Sequence, residues 1–304
     1  MDRFIIQGGV PLNGTITASG NKNAALKLLP ACLLTDEPVT LHNVPDIADV
    51  RTMIRLVQSL GAEVVNEGGG TLRVHAKNID SSIIDRELAT QIRASIVLAG
   101  PLLARVGYLE LPPPGGDVIG RRRVDTHVLA MKQLGASCEF NSHFIFKTDG
   151  LRGTDILLDE ASVTATENTI MAAVLAKGTT IIRNAACEPH VQDLCHFLNT
   201  LGAQIEGIGS NVLTIHGVDR LHGGEFRIGA DYIEVGSFIG AAAVTRGRVR
   251  IQNADPQHLH MIHLVFNRLG VHWETDGNDV IVPEYQPLKI VPDIGDQIPE
   301  IKAQ

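Results

Sequence analysis

The tripeptide Leu-Gly-Ala occurs at residues 60–62, 134–136 and 201–203, and returns as Leu-Gly-Val at 269–271. The intervals are near-constant at about 70 residues, the mark of a repeated structural unit. One such tripeptide is common by chance, whereas four in step restrict the fold more than any other feature of the chain. The glycine in each suits the left-handed residue that ends a helix.

The surroundings of the four copies match. Apolar residues at helical spacing (Val50, Met53, Ile54, Val57, Leu60; later Val191, Leu194, Leu198, Leu201) predict a helix running into each tripeptide. After it, short apolar runs predict hairpins: Glu63–Val65 with Leu72–Val74, Ser137–Phe140 with Phe144–Lys147, Gln204–Ile205 with Val212–Ile215, and His272–Glu274 with Val280–Val282. A strand precedes each helix, at Val39–His42, Gly107–Leu111, Thr179–Ile182 and Arg248–Ile251. Before that strand comes a helix rich in small residues, at Asn23–Leu34, Leu88–Arg105, Thr166–Ala176 and Ile233–Val244. Small side chains let helices approach closely, so these four are expected to be buried. The fold class is therefore α/β (α+β), built from repeated βαβαββ units. Four units are complete by Pro283, and a fifth is expected to begin at Lys289-Ile290-Val291. The chain stops at Gln304, where that unit's first helix is expected, and so reads as a fragment or as one completed by a partner.

Composition narrows the function classes. A formal charge of −8 argues against sequence-independent nucleic-acid binding, and 4% aromatic residues against base-stacking platforms. The cysteines, Cys32, Cys138, Cys187 and Cys195, lack ligand-type spacing and suit a reducing compartment. No basic segment followed by a long apolar run opens the chain. The most apolar stretch, Ala94–Leu103, is about half the ~20 residues that span a bilayer. The expectation is a cytoplasmic protein without membrane insertion.

One stretch carries candidate chemistry. Pro112–Asp125 (PPPGGDVIGRRRVD) sets Asp117 between a proline run, the pair Gly115-Gly116, and three arginines, Arg121, Arg122 and Arg123. Guanidinium groups are planar forks suited to phosphate or carboxylate. The stretch is either an acid on a mobile loop beside an anion site or a solvated turn before a basic helix start. Its own residues leave both open.

Several motifs along the whole chain settle the comparison. Ser19-Gly20-Asn21-Lys22-Asn23-Ala24-Ala25-Leu26, Arg93-Ala94-Ser95, the Gly-Gly-Asp117…Arg122…Asp125 segment, Ala161-Ser162-Val163, Glu188-Pro189 and Asp231–Ser237 resemble the enolpyruvyl transferases. Among these the likeness is to the UDP-N-acetylglucosamine 1-carboxyvinyltransferases. The resemblance implies an inside-out α/β barrel architecture of six units in two domains. In this chain it implies one complete three-unit domain, residues 21–229, and a partial second from residues 1–20 and 230–304. It also implies transfer of the enolpyruvyl group from phosphoenolpyruvate to the 3-hydroxyl of UDP-N-acetylglucosamine, with no metal or organic cofactor and no nucleic-acid partner. That reaction is the first committed step of peptidoglycan synthesis, and hence of cell-wall biogenesis, cell shape and division.

The resemblance also assigns roles. Lys22 and Arg122 hold phosphoenolpyruvate, and Asn23 sits at the junction of the two substrates. Arg93 contacts the sugar nucleotide. Arg123, Val124, Asp125 and Thr126, with Glu160, Ala161, Ser162 and Val163, wrap its uridine and diphosphate end. Simpler readings stand beside these: a solvated lysine at 22, a structural salt bridge at 93, a helix N-cap at Ser162, and helix-start carboxylates at Glu188 and Asp231. Most of the family carries cysteine where this chain has Asp117. As the proton donor, that aspartate would confer resistance to fosfomycin, an epoxide that alkylates the cysteine. Its pKa, ~3.9 by reference and lower beside arginines, must be raised by bound phosphoenolpyruvate. The base-side aspartate and further arginines of the family lie in the fifth and sixth units. The chain alone is therefore expected to be poorly soluble or inactive. A non-catalytic UDP-sugar-binding fragment, or a 3-phosphoshikimate 1-carboxyvinyltransferase, is the alternative.

Overall fold

The computed structural model describes residues 3–116 and 123–298. The chain divides into two compact units, residues 21–229 and residues 1–20 with 230–304. Helices of the first are α1 (Lys22–Ala31), α2 (Ala48–Ser59), α3 (Arg86–Ala89), α4 (Ala99–Val106), α5 (Asp125–Gln133), α6 (Val163–Ala173) and α7 (Pro189–Thr200). The second has α8 (Tyr232–Thr245) and α9 (His260–Arg268).

The repeated tripeptide is one backbone device used four times. Gly61, Gly135, Gly202 and Gly270 all have positive φ, at 107°, 97°, 98° and 74°. In each copy the glycine N–H donates three residues back, and the next N–H donates five back: Ala62 to Val57, Ala136 to Met131, Ala203 to Leu198, Val271 to Phe266. These bonds satisfy carbonyls that a helix end leaves open, in the manner of a Schellman motif.

The sheets repeat as well. Glu63–Gly68 pairs antiparallel with Thr71–His75, which pairs antiparallel with Val39–His42, and Gly224–Arg227 lies parallel to the last. Gln204–Glu206, Val212–His216, Thr179–Arg183 and Asp155–Leu157 follow the same order and sense. So do Glu274–Asp276, Asp279–Val282, Val249–Gln252 and Gly14–Thr17 in the other unit. A fourth sheet joins Ser137–Asn141, His143–Lys147 and Tyr108–Leu111, with Ile83 making one parallel bridge to Glu110. Gly14–Thr17 therefore completes the sheet of residues 249–282, and a strand from residue 224 onward completes the sheet of residues 39–75.

Burial follows from the periods. Val39 and Leu41 are fully buried between the less buried Thr40 and His42. In α2, Val50, Met53, Leu56 and Val57 face the core. Of the small-residue helices, α1 is buried from Ala24 to Ala31 and α6 from Ala165 to Ala173, whereas α8, expected to be buried as well, buries only Val235, Gly236, Ile239, Ala242 and Ala243 and leaves Ile233 and Val244 exposed. By contrast α9 has no fully buried residue.

Two expectations need correction. Leu88–Arg105 is not one helix. Ile92 is extended (φ −134°, ψ 139°), and a 3-10 helix, Arg93–Leu98, separates α3 from α4. The break accommodates the glycine pair, whose N–H groups donate to Ala89 and Thr90. Lys289-Ile290-Val291 forms no strand; Val291 N–H bonds to Arg268 and Leu288 N–H to Gly270, at the end of α9.

The repeated cap yields a graded prediction. Gly135→Ala places a Cβ in open space, so its cost is conformational, about 1–2 kcal/mol. Gly61→Ala adds a contact of 2.9 Å with the backbone nitrogen of Asp80 and should lose about 1–3 kcal/mol more. Urea denaturation of both variants checks this; equal losses would contradict it.

Candidate functional site

Lys22 opens α1. Asn21 caps that helix by accepting the Ala24 N–H at 3.0 Å, which fixes where the first turn starts. A cation there opposes the helix dipole, and the charge is compensated by Asp49 in the first turn of α2, 3.5 Å from Lys22 Nζ. Both side chains are half-exposed, so the pair is worth about 0–1 kcal/mol and holds the lysine without locking it. Asn23, the next residue, is half-buried.

Arg93 begins the 3-10 helix, and its Nη2 donates to the carbonyl of Arg123 at 3.1 Å. Gly116 lies against the same residue: with φ +89°, its Cβ position is 2.9 Å from the Arg93 backbone nitrogen. Gly115 is closer still, a Cβ there running into the Thr90 carbonyl oxygen. Residues on both sides of 117–122 thus meet one turn, Thr90–Arg93. Asp117 and Arg122, the assigned proton donor and phosphoenolpyruvate ligand, lie outside the described residues.

Asp159 organises the next layer. It accepts from Thr126 Oγ1 at 2.6 Å and from Arg123 Nη2 at 3.3 Å, while Arg123 Nε donates to Asp125 at 2.8 Å. One carboxylate therefore joins residues 123–126 to residues 159–163. Val124 directly precedes α5, Glu160 and Ala161 are exposed, and Val163 is the first residue of α6. Ser162 caps α6 by accepting the Ala165 N–H at 3.4 Å, so the N-cap reading of that residue holds. Glu188 immediately precedes α7, and Asp231 caps α8 in the other unit through the N–H groups of Ile233 and Glu234.

Behind these segments runs a buried polar chain. Asn168 donates to the Ile96 carbonyl at 2.9 Å, accepts the Gly100 N–H at 2.6 Å, and lies 3.0 Å from His127 Nδ1. His127 Nε2 lies 3.1 Å from Thr164 Oγ1. Burial, and then the charge of Arg93, push the His127 pKa down to about 3, so the imidazole is neutral and its two nitrogens serve as one donor and one acceptor.

Residue-by-residue reading of the sequence missed Asp49, Asp159, His127 and Asn168. Only Asp159 carried a signal, standing beside the assigned Glu160 just before a helix cap. Among the described residues, no group of three His, Cys, Asp or Glu side chains gathers to hold a metal, and no helix is long and apolar enough to cross a membrane. A cleft of about 420 Å³, lined by Leu103, Gly107, Thr148, Arg152 and Lys177 among others, contains none of the assigned residues.

Known proteins similar to this chain fall in one family. The family model described as EPSP synthase (3-phosphoshikimate 1-carboxyvinyltransferase) matches residues 6–304. The UDP-N-acetylglucosamine 1-carboxyvinyltransferase of Treponema denticola is 53% identical over 301 residues, 99% of this chain and 71% of that protein. The enzyme of the same name from Bradyrhizobium diazoefficiens is also 53% identical, over 99% of this chain and 70% of its own length. Among solved structures, the enolpyruvyl transferase NikO from Streptomyces tendae superposes with a TM-score of 0.81 at 24% identity, covering 91% of this chain and 67% of that one. An EPSP synthase from Acinetobacter baumannii gives 0.74 at 16% identity, covering 95% and 68%.

His127 sets a pH dependence. Its folded pKa of about 3 lies below the unfolded ~6.5, so the unfolded chain takes up a proton first as pH falls. The stability it contributes is held above pH ~6.5 and lost toward pH 3, at up to about 1.4 kcal/mol per pH unit. Between pH 6 and 4, His127→Gln should therefore show a shallower fall in stability than the wild type. Identical slopes would mean that the histidine charges within the folded protein.

Proposed function

The chain belongs to the enolpyruvyl transferases, in the branch of the UDP-N-acetylglucosamine 1-carboxyvinyltransferases, and on that premise we propose the roles of its residues in the transfer. The reaction moves the enolpyruvyl group of phosphoenolpyruvate to the 3-hydroxyl of UDP-N-acetylglucosamine, releases phosphate, and opens peptidoglycan synthesis. The observation that carries the reading is 53% identity with enzymes of that name across 99% of this chain. The 3-phosphoshikimate alternative has only the family description and a fold likeness at 16% identity.

The chemistry makes three demands. Carbon 3 of phosphoenolpyruvate must gain a proton, so that carbon 2 becomes electrophilic. The sugar hydroxyl attacks carbon 2 and gives up its proton. Carbon 3 then returns a proton as the phosphate departs, which restores the double bond. Asp117 supplies the first proton, and Lys22 with Arg122 offsets the charge of the phosphate. Asn23 lies where the two substrates meet. Arg93, Arg123–Thr126 and Glu160–Val163 hold the sugar nucleotide. Arg123 is oriented by Asp125 and Asp159, and Lys22 is loosely held by Asp49, which reduces the side-chain freedom these cations lose when an anion arrives.

Calorimetric titration with UDP-N-acetylglucosamine tests the assignment. Arg123→Ala should weaken binding by about 10- to 100-fold, the value of one charge-assisted hydrogen bond. Binding of 3-phosphoshikimate in place of the sugar nucleotide would overturn the reading. With Asp117 at the loop position, exposure to fosfomycin should leave the intact mass unchanged, and an adduct on Asp117 would contradict its assignment.

A further inference from the structure

Inside the unit of residues 21–229, Lys27 of α1 and Glu167 of α6 form an ion pair that the reaction does not use. Lys27 Nζ lies 3.4 Å from Glu167 Oε2, with side-chain exposures of 5% and 0%. Among the described residues, neither carboxylate oxygen of Glu167 has a hydrogen bond of good geometry, and the charge of Lys27 outweighs the hydrogen-bonding part of the contact. Three groups of the α7 segment face the pair. Glu188 precedes that helix and has a buried Oε2 lacking a hydrogen bond among the described residues. His190 feels the charge of Lys27, and Cys195 that of Glu167. Burial drives Glu167 up and the Lys27 charge pulls it back, for a net rise to about 8. Burial likewise drives His190 down to about 3 and Cys195 up to about 12.

Such a pair is a poor source of stability. Well-packed apolar side chains of similar volume are often as stable or more so, because two charges must first be stripped of water. Lysine and glutamate are also among the residues least often fully buried. What the pair offers is one fixed point between two helices whose other buried neighbours are mostly small or apolar side chains. Lys27 stands four residues after Asn23 and five after Lys22 on α1. Glu167 stands four residues after Val163, the first residue of the helix that Ser162 caps. Each partner is thus about one turn beyond a segment assigned to substrate.

We propose that Lys27 and Glu167 are positioning residues, setting α1 against α6 so that the Lys22–Asn23 start keeps a fixed relation to the Glu160–Val163 start. The consequence for ligand rests on the proposed function; the positioning itself does not. Attraction requires an ionised Glu167, so the pair strengthens as pH rises through about 8.

Two variants of the full chain test this, Glu167→Gln and the double variant Lys27→Met with Glu167→Leu. Hydrogen exchange of the free protein is followed over residues 21–26 and 160–166, with α4 as the reference. At pH 9, where Glu167 is ionised, both helix starts should exchange at least about tenfold faster in each variant, while α4 is unchanged and the double variant melts no lower than the wild type. Titration with UDP-N-acetylglucosamine should then give about tenfold weaker binding by the double variant. Wild-type affinity should rise between pH 7 and 9, and that of Glu167→Gln should stay flat. Wild-type exchange at both starts in both variants would overturn the proposal. If the wild type does not bind UDP-N-acetylglucosamine, the functional assignment fails, and the exchange data still decide whether the pair positions the helices.

Discussion

Asn168 is a fully buried amide in α6, and most of the candidate site is held in place through it. Its side chain bonds to Ile96 and Gly100, which belong to the 3-10 helix and α4, and meets His127 of α5. Those elements begin at Arg93, Asp125 and Val163, three of the positions assigned to the sugar nucleotide. An unsatisfied buried amide or peptide group costs about 1–3 kcal/mol, so the network admits little sliding of one helix on another. Candidate ligands at Arg93, Asp125 and Val163, scattered along the chain, are helix starts tied to one buried side chain.

The electrostatics follow the same division between interior and surface. In the interior, His127 stays neutral, so the network adds no charge beneath the proposed anion site. At the surface, each described candidate cation has a partner that aims it: Asp49 for Lys22, Asp125 and Asp159 for Arg123, and the Arg123 carbonyl for Arg93. Preorganisation of this kind lowers the entropy lost on binding and suits a reaction in which departing phosphate must be held.

The sequence made the local devices plain and left the distant ones hidden. Three Leu-Gly-Ala caps and one Leu-Gly-Val cap, the hairpins after them and the Ser162 cap all depend on residues close together in the chain, and their composition announces them. The break at Ile92 was not legible, because its cause is a glycine pair more than twenty residues later that docks on Thr90 and Arg93. Nor was the Lys27–Glu167 pair, since a lysine and a glutamate on helices look like surface residues until the packing is known. Asp159 and Asn168 act across more than thirty residues; Asp159 is marked only by its place beside Glu160, and nothing in the immediate neighbours of Asn168 distinguishes it from any helix asparagine.

The central claim is that the starts of α1, α5, α6 and the 3-10 helix together form the sugar-nucleotide surface. Backbone amide shifts of the isotopically labelled chain, followed during titration with UDP-N-acetylglucosamine, test it most directly. The account predicts that the largest changes fall on residues 22–23, 93, 123–126 and 160–163. Changes centred instead on the cleft lined by Gly107, Thr148, Arg152 and Lys177 would contradict it.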